Sequence, residues 1–272
     1  MKKLFTKMDL RWGYNNVWIK EEDKWKAVFT MLEGLFKPIV MFFGLTNSPV
    51  TFQAMNKLLR DLINTGKVAA FIDDVIVGME TEEGHNEIVV KIIRRLEENN
   101  LYVKPEKYKW KVKKVGFLGV VIGPDRIKME EEKMKGVLEW PIPKYVKDMQ
   151  KFLGLVNYYC QFIKVFASVA RPLHDMVKKD KKWDWTEKQE KAFKELKEQF
   201  TKEPVLAAPD IDKKMRMEVD ALDYATGGVL LMECEDRLWR PVAFLSKSLN
   251  ETEMNYKIHD KKMLVIVRGL EV

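Results

Sequence analysis

The stretch AAFIDDVIVG, residues 69–78, decides the fold prediction because it places two adjacent aspartates inside an otherwise apolar, strand-like run. Moving a bare carboxylate out of water is costly unless the group is paired, hydrogen-bonded or bound to a metal. Asp73 and Asp74 therefore mark either the polar turn of a tight hairpin or one part of a site that needs both charges. The dipeptide alone favours the turn, so the surrounding segments have to decide between the two.

The segments around this hairpin predict a ferredoxin-like split βαβ unit. The alternation of side chains in residues 3–10 predicts a strand that ends at Asp9. Ser48 followed by Pro49 is typical of a helix start, and Thr81 begins a second helix after the hairpin. The order strand, helix, hairpin, helix, strand is that of an antiparallel sheet with its helices on one face.

Two local predictions complete this first region. NVWIKEEDKWKAVFT and GLFKPIVMF predict strands, with the polar segment KEEDK as a turn. The apolar spacing after Ser48 predicts one continuous helix that ends at Gly66.

In a split βαβ unit, the end of the first strand and the tip of the central hairpin become neighbours, so Asp9 would meet Asp73 and Asp74. Three carboxylates at one place repel one another, and one or more would take up a proton. Two divalent cations remove this conflict, because Mg²⁺ prefers hard oxygen ligands. A metal pair about 3.5–4 Å apart can activate an attacking oxygen and stabilise a leaving one in phosphoryl transfer.

The composition is that of a globular, basic protein. The 272 residues include 46% hydrophobic side chains and carry a net charge of +7, which is compatible with a polyanionic partner. Residues 101–115, LYVKPEKYKWKVKKV, hold six lysines and one acid among three aromatic side chains. This run is typical either of a surface that binds nucleic acid or of a solvated face, and its composition does not separate the two.

The cysteines and the apolar runs bear on the cellular location. Cys160 and Cys234 lie far apart and lack the spacing of a zinc site or a disulfide framework. No apolar run approaches the roughly 20 residues of a membrane span, and the N-terminus turns polar too soon for a signal peptide. We expect an intracellular protein, in a cytoplasmic particle or the nucleus, without a membrane partner.

Three ordered stretches carry a resemblance to a known family. MDLRWGYNNVWI (8–19), FFGLTNSPVTFQ (42–53) and FIDDVIVG (71–78) together resemble the reverse transcriptase of gypsy-type long-terminal-repeat retrotransposons. FLGVVIG (117–123) and a ribonuclease-H-like tail extend the resemblance along nearly the whole chain. The chain looks truncated at both ends relative to that family, since its last helix stops in mid-pattern.

The resemblance implies an α+β fold in three parts. A polymerase palm with part of the fingers would occupy residues 1–123, and a thumb or connection segment of helices, including 147–165, would occupy 124–182. A partial ribonuclease-H-like α/β domain would occupy 183–272. Three short strands, MRMEVDA, GGVLLM and RPVAFLS, and a helix from about Met254 would form this last domain.

The implied activity is RNA-directed DNA polymerisation. Asp9, Asp73 and Asp74 would be the catalytic residues and the ligands of two Mg²⁺ ions, with Mn²⁺ as an alternative. The implied partners are an RNA or DNA template-primer and deoxynucleotide triphosphates, together with further copies of the chain or neighbours in a polyprotein. The basic fingers residues that precede the first strand in this family would be missing, so we expect impaired activity.

Other positions match motifs with known roles in the family. Tyr14 would lie under the incoming sugar, Phe43 and Gly44 near the nucleotide and template, and Phe117, Leu118 and Gly119 in the primer grip. An ordinary core tyrosine and an ordinary strand-pair core are the alternatives. The family usually has Tyr where this chain has Phe71, a change that keeps the ring and loses a hydroxyl.

The ribonuclease-H-like tail departs from its family. Asp220 stands where the family has a metal-binding aspartate, but HDKKMLVI places Lys262 where the next carboxylate, a glutamate, is expected. A cation at that position removes a ligand and repels the metal. We expect no ribonuclease H activity.

Two other function classes stay open. The chain could be a non-enzymatic remnant that binds nucleic acid through its basic surface or a partner through exposed apolar seams. It could also be an unrelated two-metal nuclease or nucleotidyl transferase on the same unit, although the motif order argues against this.

Overall fold

A computed structural model describes residues 2–46, 55–179, 181–202, 205–210 and 212–271, and only the backbone of Tyr14 and Met55. The chain divides into two compact units, Met1–Phe117 and Leu118–Val272. The domain boundaries expected from the sequence, at residues 123 and 182, stay predictions. Among the described residues, no helix has the length and apolar character needed to cross a bilayer.

The first unit is built on a four-stranded antiparallel sheet in the order β4-β5-β1-β6. The strands of the whole unit, four of which form this sheet, are β1 (Leu4–Asp9), β2 (Phe29–Met31), β3 (Gly34–Phe36), β4 (Val68–Phe71), β5 (Asp74–Met79), β6 (Lys109–Val112) and β7 (Val115–Phe117). Its helices are α1 (Met55–Leu58), α2 (Arg60–Asn64) and α3 (Glu82–Glu98). The sheet order and the two helical segments between its strands confirm the split βαβ prediction.

The two faces of this sheet differ because side chains alternate along each strand. Met8 of β1 and Val75 of β5 face a core that they share with Val89, Ile92 and Leu96 of α3. Asp9 and Asp74 belong to the alternate positions of the same strands, so they lie on the opposite face of the sheet.

Two local predictions for this unit were wrong. The predicted turn KEEDK is part of a 3₁₀-helix, Glu21–Ala27. The single predicted helix that ends near Gly66 is two short helices, α1 and α2, interrupted at the fully buried Leu59. Its expected start at Ser48 and Pro49 lies outside the described residues.

The second unit combines helices with two small antiparallel sheets. Its strands are β8 (Val120–Ile122), β9 (Arg126–Met129), β10 (Val205–Ala207), β11 (Met215–Ala221), β12 (Ala225–Glu233) and β13 (Trp239–Ser248). Its helices are α4 (Glu131–Leu138), α5 (Val146–Tyr158), α6 (Phe166–Met176), α7 (Glu187–Thr201), α8 (Glu251–Met254) and α9 (Ile258–Leu270).

A core rich in aromatic side chains joins the helices α5, α6 and α7. Its largest members include Phe152, Tyr159, Phe162, Phe193 and Phe200. The three strands β11, β12 and β13, which the sequence predicts, pair in sequence order, and α9 packs against β11 and β12. This arrangement fits the expected ribonuclease-H-like region.

Candidate active site

The aspartates at the end of β1 and the start of β5 lie directly opposite each other. Asp9 is in register with Asp74, and the Leu10 N–H donates a hydrogen bond of 2.8 Å to the Asp73 carbonyl. Opposite residues of an antiparallel pair have Cα atoms about 4.5–5.5 Å apart and project to the same face. Two carboxylates therefore share the face of the sheet opposite the α3 core, beside the turn that carries Asp73, and Asp9 is buried there.

The turn between β4 and β5 has an unusual backbone. Ile72 has a φ of +53°, a left-handed conformation that is a strained outlier for a β-branched residue. The strain is held in place because Phe71 and Asp74 pair across the hairpin on either side of the turn. Phe71, the substituted position, is 43% exposed.

Lysine side chains donate hydrogen bonds to two carboxylates of this site, those of Asp9 and Asp74. The Nζ atoms of Lys104 and Lys107 donate to Oδ1 and Oδ2 of Asp9 at 2.7 and 3.3 Å. Lys7 donates to Oδ2 of Asp74 at 3.0 Å. Burial raises the pKa of Asp9, but the hydrogen bonds from Lys104 and Lys107 lower it by more. The pKa of Asp9 therefore lies below its ordinary value. The bond to Asp9 also raises the pKa of Lys104.

The sequence interpretation missed these lysine partners. Lys104 and Lys107 belong to the run 101–115, which offered only a choice between a nucleic-acid surface and a solvated face. Their contact with Asp9 follows from backbone pairing, because the Lys104 N–H donates to the Asp9 carbonyl at 2.8 Å. Nothing local in the sequence signals a contact across 95 residues.

The donor set fits a hard divalent cation in its chemistry, since it consists of carboxylate oxygens on two paired strands. Within the described ranges, no group of three or more His, Cys, Asp or Glu side chains is gathered so that it could hold a metal ion. Lysine ammonium groups contact the carboxylates of Asp9 and Asp74 instead. Metal binding by Asp9, Asp73 and Asp74 stays a prediction.

The expected nucleotide-site residues lie in the segments that follow β1 and β3. Tyr14 begins a short 3₁₀-helix, Tyr14–Asn16, and its side chain is outside the description. Phe43 is 77% exposed, and Gly44 has a φ of +102° with open space where a Cβ would lie. These positions leave the expected roles of the three residues untested.

The expected primer-grip residues form a sharp turn. Phe117 is buried at the end of β7, and the next two residues, Leu118 and Gly119, both have positive φ, +49° and +76°. Their carbonyls accept hydrogen bonds from the hydroxyls of Tyr158, at 2.7 Å, and Tyr159, at 3.2 Å. The sequence interpretation missed these tyrosines, although two adjacent tyrosines at a helix end were a visible signal.

The ribonuclease-H-like residues lie on β11 and α9. Asp220 is exposed at position 6 of β11, and its Oδ1 accepts a hydrogen bond from the Ala221 N–H at 2.9 Å. Lys262 is exposed on α9, whereas its neighbour Lys261 is 5% exposed and donates to the Asp223 carbonyl at 3.3 Å. The buried lysine is therefore not the one that replaces the expected glutamate.

Two family models match this chain, one after the other. Residues 1–122 match the model described as reverse transcriptase (RNA-dependent DNA polymerase). Residues 185–272 match the RNase H-like domain found in reverse transcriptase. The first match contains all three aspartates of the candidate site.

Relatives and solved structures agree with these matches. The Tf2-3 and Tf2-7 transposon polyproteins of Schizosaccharomyces pombe are 31% identical over 268 residues, which is 98% of this chain. The chain spans about a fifth of the length of these relatives (20%). The foamy viral protease-reverse transcriptase in complex with an RNA/DNA hybrid has a TM-score of 0.81 at 22% identity, over 98% of this chain and 36% of that one.

A second foamy viral structure, described as dRH in complex with double-stranded DNA, has a TM-score of 0.80 at 21% identity. The match covers 99% of this chain and 47% of the foamy viral chain. Likeness at this identity establishes the fold: a palm-type sheet, a helical segment and a ribonuclease-H-like sheet in one order. The chain is therefore similar to a reverse transcriptase over residues 1–122 and to the RNase H-like domain found in reverse transcriptase over residues 185–272.

Proposed function

We propose that the chain is an RNA-directed DNA polymerase of a gypsy-type retrotransposon, with catalysis at Asp9, Asp73 and Asp74. The observation that carries this proposal is the register of β1 and β5, which aligns Asp9 with Asp74 on the face of the sheet opposite the α3 core. The matched reverse transcriptase model supports it. An intracellular location is part of the proposal and is supported by two free cysteines.

The three aspartates would hold two Mg²⁺ ions, or Mn²⁺ in their place. Bound there, the ions supply activation of the attacking oxygen and stabilisation of the leaving one. The paired strands keep Asp9 and Asp74 at fixed separation, since both lie within the antiparallel ladder. Lys7, Lys104 and Lys107 donate hydrogen bonds to two of these carboxylates, and their positive charge would favour nucleotide phosphates at the same site.

The proposed substrates are a template-primer duplex and deoxynucleotide triphosphates. Lysines on the same face of the sheet as Asp9 support this choice, since Lys7 and Lys109 are register partners on β1 and β6. Cationic side chains on one surface attract a phosphate backbone. The foamy viral neighbours were solved with an RNA/DNA hybrid and with double-stranded DNA, which agrees with a duplex on this fold.

A second candidate function is nucleic-acid binding without catalysis. The lysine contacts of Asp9 and Asp74 favour it, because each ammonium group competes with a metal for the same oxygens. In this case the basic surface would bind a duplex while the carboxylates stay paired with lysines.

Primer extension on an RNA template with Mg²⁺ separates the two candidates. We expect the wild-type chain to incorporate nucleotides and Asp73→Asn to lose activity by more than about a hundredfold, since even outer-shell partners of metal ligands contribute about 10–100-fold. The matched control is Asp184→Asn, at an exposed position of the second unit. Equal background in the wild type and Asp73→Asn would contradict the polymerase and support binding alone.

We also propose that the ribonuclease-H-like domain does not cleave RNA. Lys262 replaces the expected glutamate on α9 and puts a cation where a metal ligand is needed. We expect no Mg²⁺-dependent cleavage of the RNA strand of a labelled hybrid, at enzyme concentrations that give primer extension. Cleavage that is lost in Asp220→Asn would overturn this.

A further inference from the structure

The turn between β7 and β8 has a backbone that its own sequence does not favour. Leu118 adopts a φ of +49°, a region that non-glycine residues rarely occupy, and Gly119 follows with +76°. A conformation of this kind persists only where the surrounding structure determines it. The contacts around the turn must therefore supply the stabilisation.

Two tyrosine hydroxyls provide these contacts. Tyr158 donates to the Leu118 carbonyl at 2.7 Å and Tyr159 to the Gly119 carbonyl at 3.2 Å. The Glu130 N–H donates a further bond of 3.0 Å to the Gly119 carbonyl. Both carbonyls of the turn are thus hydrogen-bonded within the second unit, to which Leu118 and Gly119 belong.

The hydroxyl of Tyr159 also explains why a glycine follows Leu118. A Cβ added to Gly119 would collide with this hydroxyl, whereas the next ring atom, Cζ, would be 3.5 Å away, an ordinary van der Waals contact. Tyr159 is only 2% exposed and packs among Phe162 and Phe200, so its ring has little room to move.

The tyrosines are attached to a rigid element. They lie at the C-terminal end of α5, which buries Met149, Phe152, Leu153 and Val156 in the core. Burial raises the pKa of Tyr159 to about 12, so its hydroxyl stays protonated and able to donate. The two hydrogen bonds therefore hold the backbone of the turn against a helix that is itself fixed in the core.

We propose that Tyr158 and Tyr159 are positioning residues that hold the Leu118–Gly119 turn in the backbone conformation needed to place a primer 3′ end. This inference rests on the proposed polymerase function and deepens it. Neither tyrosine would touch the reacting atoms. The alternative is that Tyr159 only packs the core and that the exposed Tyr158 has no effect on the turn.

The test uses Tyr158→Phe, Tyr159→Phe and the double variant, with Tyr145→Phe as the control on an exposed tyrosine just before α5. Amide hydrogen exchange of peptides covering residues 116–121 should speed up about fivefold in each single variant, the size expected for one lost hydrogen bond. The control should not change it. Unchanged exchange in the double variant would overturn the proposal.

Primer extension then separates positioning from packing. We expect kcat to fall about fivefold or more in the double variant, while the affinity for the template-primer duplex and the melting temperature change little. Faster exchange with unchanged kcat would overturn the positioning role. If the wild type does not extend primers, the polymerase proposal fails and the positioning role falls with it, whereas hydrogen exchange still shows whether the hydroxyls hold the turn.

A coupling measurement covers the case in which the phenylalanine variants are unstable. Gly119→Ala should lower the melting temperature much less in the Tyr159→Phe background than in the wild type, because the colliding hydroxyl is absent. Equal losses in both backgrounds would contradict the contact on which the proposal depends.

Discussion

The buried side chain of His85 connects three elements of the first unit. Its side chain is fully buried on α3, and its Nε2 lies 2.7 Å from the Thr6 hydroxyl of β1. Thr6 also accepts a hydrogen bond from the Lys111 N–H of β6, at 3.1 Å. One polar chain therefore links a helix and two strands on the side of the sheet opposite the carboxylates.

The same histidine makes stability depend on pH. Burial lowers the pKa of His85, and the nearby Lys111 lowers it further. The unfolded chain takes up a proton near the ordinary pKa of about 6.5, while the folded chain resists it. The stability is therefore fully present above about pH 6.5 and is lost as the pH falls towards the folded pKa.

We predict that His85→Gln weakens this pH dependence. The free energy of unfolding of the wild type should fall between pH 7 and pH 5, and the variant should fall less steeply. At pH 7 the variant should be about 1–2 kcal/mol less stable, because the bond to Thr6 is disturbed. Urea unfolding from pH 5 to 8 measures both effects, with His259→Gln, an exposed position, as the control. Parallel pH profiles for wild type and His85→Gln would contradict the prediction.

Elements with a strong repeat could be predicted from the sequence. The alternation in β1, the apolar run of the β4–β5 hairpin and the apolar spacing of α3 are each clear over the length of the element, so local pattern and final structure agree. The strands β11, β12 and β13 were predicted for the same reason. Because the hairpin and β1 were right, the pairing of Asp9 with Asp74 followed from topology alone.

Short elements could not be predicted, because contacts elsewhere decide them. The 3₁₀-helix Glu21–Ala27 has a polar sequence that also suits a turn, and no repeat separates the two. Leu59 interrupts a helical pattern at a residue whose burial depends on the core around it. The lysines on Asp9 are missed for the same reason, since their contact depends on pairing across the sheet.

Binding of a nucleic-acid backbone depends less on the net charge of +7 over the full chain than on where the charges lie. The exposed side of α5 carries Lys147, Lys151 and Tyr158 at helical spacing, and none of its exposed side chains is acidic. On α7, by contrast, exposed lysines alternate with glutamates, and Lys194 is paired with Glu190 at 2.6 Å. The two lysines of α5 face one acid, the partly exposed Asp148, so α5 keeps a net positive charge, whereas the four lysines of α7 are matched by four glutamates.

We predict that α5, and not α7, contributes to the salt dependence of duplex binding. Each lysine–phosphate contact that is lost lowers the slope of log K against log salt by about 0.9, so Lys147→Ala with Lys151→Ala should lower it by about 1.8. Fluorescence anisotropy with a labelled RNA/DNA hybrid over a series of salt concentrations measures the slope. Lys188→Ala with Lys191→Ala on α7 removes the same charge and should leave the slope nearly unchanged, because neighbouring glutamates already offset those lysines. Equal losses in the two double variants would mean that net charge, rather than its placement on α5, governs binding.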